Sequence, residues 1–345
     1  MKHILFVLNV PSFYKLNLLD RLTPYFKITG LFLGTTHQVL LGDTFNSVKY
    51  TQIFLSDNDT DKKFLGLKRI PGILKNIYQL KPDYIVYCGW DNIDMVVASF
   101  FTKRKKNCLV CESSIIESQT TGIKGYIKRL IVSRFSKSFP SGKPHLELLK
   151  KLKFRGTSFI TGSVGVNTPF KRIGIATKEQ QPFKFIYIGR LIEIKNVDLL
   201  LDVFNQTGKN LTIVGDGPLM SELKSRAKNN ITITGHASRE EINELLLEHH
   251  CLVLPSKSET WGLVVEEALQ CGLPVIASNK VGSAEDLIRD YKSGIIFSYD
   301  DKLELLTALD EMEGNYNYYR DNALKIDFHH RECEYINAFV RAFNQ

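Results

Sequence analysis

The chain has 345 residues, of which 43% are hydrophobic and 24% are charged, which is the composition of an ordinary soluble globular protein. This length is too great for one hydrophobic core and predicts two domains of roughly 150 residues each. No apolar run approaches the roughly 20 residues of a membrane-spanning helix. The apolar residues 1–10 run into a polar stretch without a small-residue cleavage site, so they predict a first strand rather than a signal peptide, and hence a cytoplasmic protein.

The net charge of +8 conceals an uneven distribution between the two halves of the chain. Residues 1–170 carry 25 lysines and arginines against 11 acids, whereas the remainder carries 20 against 26. The first half is therefore basic by 14 charges and the second is acidic by 6. Such a basic surface favours an anionic partner or acceptor. Nucleic acid is not predicted, because no aromatic-rich strand motif, zinc-ligand spacing or helix-turn-helix pattern accompanies the charge.

The first half alternates buried strands with helices. The predicted strands are His3–Val10, Phe26–Leu33, Asp83–Cys88 and Cys108–Cys111, and the helices between them are Asn17–Leu22, Ile73–Leu80 and Met95–Phe101. Nearly continuous apolar strands alternating with helices predict a parallel sheet covered on both faces. In such sheets ligands bind beyond the carboxyl ends of the strands. Glu112 follows one of these strands directly and is a candidate site residue, although it could equally be an acid at a helix N-terminus.

A basic, apolar segment follows Glu112. Residues 127–138 predict a helix whose apolar side chains alternate with cations, among them Lys128 and Arg129. One interpretation is a helix that lies on an anionic membrane surface. The alternative is an ordinary amphipathic helix with a solvated face.

The six cysteines include one closely spaced pair, Cys108 and Cys111. These two lie in an apolar strand, and no second pair or histidine cluster follows them. They therefore predict buried reduced thiols and neither a zinc site nor a redox pair. No metal-binding site is predicted.

A break in the pattern at residues 171–182 predicts a linker, so the domains are expected at 1–170 and 183–325. The second domain begins with the strand Phe183–Ile188, which runs into Gly189-Arg190-Leu191. Arg190 and Lys195 lie across a strand-to-helix turn, where a planar guanidinium and an ammonium could converge on one diphosphate. A last helix is predicted at Glu332–Phe343, within a C-terminal segment of residues 326–345.

Two further strand ends carry glycines. The strand Leu211–Val214 runs into Gly215-Asp216-Gly217-Pro218, and Ile231–Thr234 runs into Gly235-His236. A lone G-x-G is weak evidence for a phosphate loop, and His236 is interpreted as a loop residue and not as a catalyst.

The most informative stretch is Ser256–Ala268, in which a strand, a loop and a helix N-terminus follow one another. Gly262 would let the backbone approach a ligand, and the amides around Leu263 and Val264 would face an anion. Glu267 lies in the first turns of the helix, where its two oxygens suit adjacent hydroxyls of a ribose or hexose. Glu266 is interpreted as a solvated charge. This chemistry predicts a ligand in which a nucleotide is linked to a sugar.

Glu259 and Glu267, with Trp261-Gly262-Leu263 between them, resemble the paired-glutamate motif of the retaining glycosyltransferases of family 4. The family's pattern of G-R-L followed after a short spacer by K-x is matched by Gly189-Arg190-Leu191 and Lys195, although Asn196 stands where glycine is commoner. The glycines of the G-x-G-P turn and Gly235 also match. At about the place of Glu112 relatives carry a histidine, so Glu112 is a substitute candidate here.

The resemblance implies the GT-B fold: two Rossmann-like α/β domains that face a cleft, with a terminal helix that returns to the N-terminal domain. It also implies transfer of a sugar from a nucleoside diphosphate donor, of UDP or GDP type, with retention of configuration and without a metal or cofactor. Arg190 and Lys195 would bind the diphosphate, Glu259 the donor hexose and Glu267 the ribose. Gly215, Gly217, Gly235 and His236 would lie beside the nucleotide.

The acceptor expected from these features is a glycan or a lipid-linked glycan in cell-envelope polysaccharide synthesis, and its expected location is the inner face of the plasma membrane. Two alternatives remain open. One is a sugar-nucleotide epimerase of the same fold, which has no acceptor, and the other is a non-catalytic protein that binds a sugar nucleotide or a lipid.

Overall fold

The structure of the protein, a computed structural model, describes residues 1–34, 48–55, 66–166, 170 and 182–345. The chain divides into two compact units. The first comprises Met1–Thr168 together with His329–Gln345, and the second comprises Pro169–Phe328. All but the last residue of the predicted linker 171–182 lies outside the described residues.

The first unit is built on a parallel sheet of seven strands in the order β3-β2-β1-β4-β5-β6-β7. The strands are β1 (His3–Leu8), β2 (Lys27–Phe32), β3 (Thr51–Phe54), β4 (Tyr84–Cys88), β5 (Asn107–Cys111), β6 (Lys137–Pro140) and β7 (Thr157–Ser158). All six residues of β1 are buried, as expected for a central strand with helices on both faces.

Within the described residues, five α-helices connect these strands. They are α1 (Phe13–Leu22), α2 (Ile70–Leu80), α3 (Ile93–Phe100), α4 (Gly122–Val132) and α5 (Lys143–Lys151). The predicted helix at 127–138 is wrong at both ends, because α4 starts earlier and Lys137 and Ser138 belong to β6. The register of β6 beside β5, with Lys137 opposite Cys108, takes these residues into the sheet, and the periodicity of the segment alone does not reveal that pairing.

The second unit contains a parallel sheet of six strands in the order β10-β9-β8-β11-β12-β13. The strands are β8 (Lys184–Ile188), β9 (Asn210–Val214), β10 (Ile231–Gly235), β11 (Cys251–Leu254), β12 (Val275–Ser278) and β13 (Gly294–Phe297). The helices are α6 (Val197–Thr207), α7 (Met220–Arg226), α8 (Arg239–Glu248), α9 (Leu263–Gln270), α10 (Lys302–Gly314) and α11 (Tyr316–Leu324). A π-helical segment, Ala284–Arg289, joins β12 to β13.

The last helix, α12 (Phe328–Asn344), packs into the first unit. The Phe339 ring stacks on Phe139 of β6 with 4.1 Å between ring centroids, and Phe6 of β1 lies 6.0 Å from the same ring. Phe339 and Phe343 belong to the hydrophobic core on that face of the sheet. The helix begins four residues before the predicted Glu332.

Both sheets change winding direction once. In the first, β1 pairs with both β2 and β4, and in the second, β8 pairs with both β9 and β11. Loops that leave such a switch point diverge to opposite faces and open a crevice at the carboxyl ends of the strands. The predicted fold class, α/β with two parallel-sheet domains, is confirmed. Its switch points direct attention to the loops that follow β8 and β11.

Candidate functional site

The loops that leave β8 and β11 are fastened to each other at the switch point of the second sheet. The Lys257 N–H donates to the Ile194 carbonyl oxygen at 2.8 Å, and the Asn196 side-chain amide donates to the Pro255 carbonyl oxygen at 3.2 Å. Asn196 has a φ of 57°, in the left-handed region that asparagine tolerates better than most residues. Asn196 therefore supplies the conformation that glycine would allow, together with a contact that glycine could not make.

Lys195 and Glu259 form an ion pair across these two loops. The side chains are only 15% and 17% exposed, so both charges are largely removed from solvent. Arg190 is exposed in the same β8 loop, and its carbonyl oxygen accepts a hydrogen bond of 3.0 Å from the Tyr187 hydroxyl. Burial raises the pKa of Tyr187; Glu259 raises it further, whereas Arg190 opposes the shift. The three predicted charged residues, Arg190, Lys195 and Glu259, thus all belong to the region where the loops after β8 and β11 meet.

The backbone at Glu259 is held from the opposite side by the loop that follows β12. The Glu259 N–H donates to the Lys280 carbonyl oxygen at 3.0 Å, and the Gly282 N–H donates to the Glu259 carbonyl oxygen at 2.9 Å. Because the N–H and the carbonyl oxygen of Glu259 are both hydrogen-bonded, the backbone that carries its carboxylate is held in place. A backbone held in place reduces the reorganisation that ligand binding requires.

Gly262 terminates this loop and starts α9. Its φ of 89° and the nearness of the Val281 side chain, 3.1 Å from the position of an added Cβ, make glycine the suitable residue. Leu263 and Val264 form the first turn of α9, where backbone amides lack intrahelical acceptors and the positive end of the helix dipole lies. These amides lie near Glu259, whose Cγ is 3.3 Å from the position of an added Cβ at Gly262.

The interpretation of Glu266 as a solvated charge is wrong. Glu266 is 4% exposed, and its carboxylate accepts a hydrogen bond of 3.0 Å from the indole N–H of the buried Trp261. The helix starts at Leu263, which turns residue 266 towards the core, and a carboxylate in the first turn also faces the positive end of the helix dipole. Glu266 is thus a structural support for the loop that carries Glu259.

Glu267 lies one residue further along α9 and pairs with Arg239 at the start of α8, with 3.2 Å between Nη1 and Oε1. The Arg239 guanidinium stacks 4.1 Å from the centroid of the Phe170 ring. Burial raises the pKa of the Glu267 carboxyl to about 7, although Arg239 lowers it. Sequence reasoning gave no site role to Arg239 or Phe170; the Ser238–Glu241 capping box was the available signal for where α8 begins.

Gly215 and Gly217 lie against the β8 loop. The Gly215 N–H donates to the Gly235 carbonyl oxygen at 2.8 Å, and the Leu191 N–H donates to the Asp216 carbonyl oxygen at 2.9 Å. A Cβ at Gly215 would lie 1.9 Å from the Gly189 carbonyl oxygen. The turn therefore needs glycine to pack against the loop that carries Arg190, whatever it binds. Gly235 is joined to this turn, and His236 is exposed next to it.

Glu112 lies in the first unit, directly after β5, and pairs with Lys15 of α1 at 3.2 Å. Burial lowers the pKa of Lys15, but Glu112, Tyr14 and Cys88 together outweigh that effect and the net shift is upward. The neighbouring Cys88 thiol has its pKa raised to about 12 by burial. Sequence reasoning did not identify Lys15 as a partner, because α1 and β5 are far apart in the chain.

The cysteine pair is buried and free, with Cys108 and Cys111 both inside β5, and burial raises the pKa of each thiol. Over the part of the chain that the structure describes, no three His, Cys, Asp or Glu side chains come together as a metal site would need. In the same residues, none of the helices has the length and apolar character to cross a bilayer.

Comparison with protein families identifies the domain that contains this switch point. Residues 171–324 match the family model described as glycosyl transferases group 1. The second unit belongs to the glycosyl transferases group 1 family. This group 1 domain contains all the predicted site residues except Glu112.

Curated relatives match part of the chain. The chain is 31% identical to a sulfoquinovosyl transferase of Arabidopsis thaliana over 40% of this chain and 28% of that protein. It is 36% identical to a GDP-mannose-dependent alpha-mannosyltransferase of Mycobacterium tuberculosis over 32% of this chain and 29% of that protein. An uncharacterized glycosyltransferase of Methanocaldococcus jannaschii is 28% identical over 38% of each chain. The aligned stretch thus spans less than half the length of each of these relatives.

Solved structures resemble the whole chain. The apo lipopolysaccharide outer core galactosyltransferase WaaB aligns over 99% of both chains with a TM-score of 0.69 at 14% identity. HepE of Anabaena, in complex with UDP, aligns over 100% of this chain and 98% of that one with a TM-score of 0.67 at 17% identity. These likenesses show that the group 1 domain and the first unit share the GT-B fold predicted from the sequence.

Proposed function

We propose that the protein transfers a sugar from a nucleoside diphosphate donor to a glycan or glycolipid acceptor, with retention of configuration and without a metal or cofactor. The observation that carries the proposal is the Lys195–Glu259 pair at the switch point of the group 1 domain. It combines a cation for a diphosphate with an acid for sugar hydroxyls, and Glu259 lies close to Gly262, where α9 begins. The names of the relatives, which include a sulfoquinovosyl transferase and an alpha-mannosyltransferase, agree with this chemistry.

The leaving group of such a reaction is the nucleoside diphosphate. When the bond between the anomeric carbon and the diphosphate oxygen breaks, the electron pair stays on that oxygen and negative charge develops there. Arg190, Lys195 and the first amides of α9 are the groups that would stabilise this charge. Each preorganised donor of this kind contributes roughly 3 kcal/mol of barrier lowering.

The two glutamates divide the donor between them in this proposal. Glu259 would accept hydrogen bonds from hydroxyls of the transferred sugar, and Glu267 would accept those of the ribose diol. The Arg239 contact keeps the Glu267 carboxyl oriented. Gly215, Gly217, Gly235 and His236 would lie along the nucleoside.

The acceptor is assigned to the first unit because of its charge. Residues 1–170 are basic by 14 charges, which suits an anionic glycan or a glycan carried on an anionic lipid. Glu112 with Lys15 is the candidate pair for the acceptor hydroxyl. Cell-envelope polysaccharide assembly at the cytoplasmic face of the plasma membrane is the setting that fits such an acceptor.

A thermal-shift screen against UDP, GDP and ADP tests the donor half of the proposal. We expect one of the diphosphates to raise the melting temperature, and we expect the shift to disappear in Lys195→Met. The corresponding UDP- or GDP-sugars are then incubated with and without oligosaccharide and glycolipid acceptors, and the released nucleoside diphosphate is measured.

The outcome separates the three functions. Release of the diphosphate only when an acceptor is present supports transfer. Conversion of the donor sugar without any acceptor supports an epimerase, and tight binding without turnover supports a binding protein. If none of the three nucleotides shifts the melting temperature, the assignment of the site is wrong.

A further inference from the structure

Helix α4 of the first unit displays an apolar stripe to solvent. Four large hydrophobic side chains of this helix are exposed to solvent. Their exposed fractions are 81% for Ile123, 68% for Tyr126, 49% for Ile127 and 50% for Leu130. Their spacing of three, four and seven residues places them within about 100° of arc on one side of the helix. We call these four residues the α4 stripe.

The α4 stripe is not the face by which the helix attaches to its own domain. Within α4 the buried residues are Gly125 and Val132. A Cβ at Gly125 would lie 2.1 Å from the Thr120 carbonyl oxygen, so this side of the helix packs closely against the segment that precedes it. Val132 joins the hydrophobic core between α2, α3 and the sheet. Since these contacts lie on the opposite side, the stripe points outwards.

Further apolar rings extend this surface at the C-terminal end of α4. Phe100 and Phe101, where α3 ends, are 40% and 60% exposed. The Arg134 guanidinium, two residues after α4, lies 5.2 Å from the centroid of the Phe100 ring. The Arg134 contact places Phe100 near the C-terminal end of α4, and exposed apolar side chains grouped in this way mark interaction sites.

The two chain segments that form this surface carry cations and no acids. No acidic residue lies between Glu117 and Glu147, or between Asp94 and Glu112. Lys124 and Arg129 flank the stripe on the helix, and Lys103, Arg104 and Lys105 are exposed nearby, where the Arg104 Nε donates to the Ser133 carbonyl oxygen at 3.1 Å. An exposed apolar helix face flanked by cations is complementary to an anionic lipid bilayer, whose headgroups attract the cations while the acyl region receives the side chains.

We infer that the α4 stripe, with Phe100 and Phe101, docks the first unit on an anionic membrane surface. The inference deepens the proposed function, since it names the surface through which an acceptor carried on a lipid would be approached. It rests on α4 and not on the donor site. A second copy of the chain is the other occupant that an apolar face could take, but the surrounding cations would repel the same cations of a copy related by symmetry.

Vesicle co-sedimentation of the full chain tests the inference. The probes are vesicles of phosphatidylcholine alone and vesicles with about 30% phosphatidylglycerol. We expect binding to the anionic vesicles, weak binding to the neutral ones, and a loss of binding at high salt, because charge attraction to the surface is screened. The double variant Ile123→Ser/Ile127→Ser should weaken binding to anionic vesicles by about tenfold or more.

Two controls isolate the stripe. Leu303→Ser removes an exposed hydrophobic residue of the second unit, 71% exposed on α10, and should leave vesicle binding unchanged. Lys103→Gln/Lys105→Gln should weaken binding to anionic vesicles without affecting the weak binding to neutral ones. Melting temperatures within 1–2 °C of the parent protein, as surface substitutions generally give, would show that each variant is folded.

Three results would overturn the inference. One is equal binding of the parent protein and Ile123→Ser/Ile127→Ser to anionic vesicles, and another is no binding by the parent protein. The third is a dimer in sedimentation velocity that Ile123→Ser/Ile127→Ser dissociates, without vesicle binding by either. The nucleotide thermal shift is measured on the same samples, so a failure of the membrane surface is distinguishable from a failure of the donor site.

Discussion

Lys195 and Glu259 form an ion pair although 64 residues separate them in the chain. Each lies in a loop that leaves a neighbouring strand at the switch point, and backbone hydrogen bonds fix both loops. A diphosphate bound at the start of α9 would compete with Glu259 for Lys195. Binding would then release the Glu259 carboxylate to accept hydrogen bonds from the sugar of the same donor.

Lys195→Met should lower the turnover of the cognate sugar nucleotide by about 100- to 1000-fold, since one preorganised donor to the leaving group is lost. Lys257→Met, which changes an exposed lysine of the β11 loop, is the matched control and should keep full activity. Both are measured as diphosphate release at saturating donor. Equal activity of the two variants would remove Lys195 from the proposed site.

Asn196 is expected to hold the β8 loop in place. Its side-chain amide donates to the carbonyl oxygens of Pro255 and Tyr299 at 3.2 Å and 2.9 Å. Asn196→Gly keeps the left-handed conformation but loses these bonds, at a cost of about 1–3 kcal/mol. Asn196→Ala loses the bonds and also carries the left-handed penalty of about 1–2 kcal/mol. Urea unfolding should therefore rank Asn196→Ala below Asn196→Gly; the reverse order would contradict the account.

Gly215→Ala should destabilise the protein much more than Gly208→Ala. Both glycines have positive φ, but an added Cβ at Gly208 meets nothing within 4 Å, whereas at Gly215 it would lie 1.9 Å from the Gly189 carbonyl oxygen. We expect a loss of about 1–2 kcal/mol at Gly208 and of about 4 kcal/mol or more at Gly215. If Gly215→Ala unfolds like the parent protein and loses only nucleotide binding, the glycine serves the ligand and not the packing.

The sequence was sufficient to predict the two parallel-sheet units and the strand ends that carry Arg190, Lys195 and Glu259, because buried strands and the loops after them have local signatures. The grouping of these three residues at the switch point follows from the order of the strands, because ligand sites in parallel α/β sheets generally lie at such points. The structure of the first unit was harder to predict. Hydrophobic periodicity extended the predicted helix beyond α4 into β6, since a short strand with polar ends resembles a helical turn.

Partners from distant segments could not be predicted. Lys15 beside Glu112 and Arg239 beside Glu267 join elements whose sequences carry no sign of each other. Glu266 was assigned to solvent because its type is usually exposed, and its burial depends on the indole N–H of Trp261. The outward direction of the α4 stripe was also hidden, since an amphipathic pattern does not say which face meets the core.

Glu267 should make the stability of the protein depend on pH between about 4.5 and 7. Burial raises its folded-state pKa from 4.5 to about 7. Below pH 4.5 the carboxyl is protonated in both states. As the pH rises from there to 7, the unfolded chain releases the proton while the folded protein retains it, so the free energy of unfolding falls by up to about 3 kcal/mol.

Glu267→Gln removes this titration. Its free energy of unfolding, relative to that of the parent protein, should therefore increase as the pH is raised from 4.5 to 8, with Glu240→Gln on the exposed face of α8 as the control that keeps the parent slope. Urea unfolding at several pH values gives both slopes. Parallel slopes for Glu267→Gln and the parent protein would mean that the Arg239 ion pair outweighs burial and that Glu267 is an ordinary carboxylate in the folded protein.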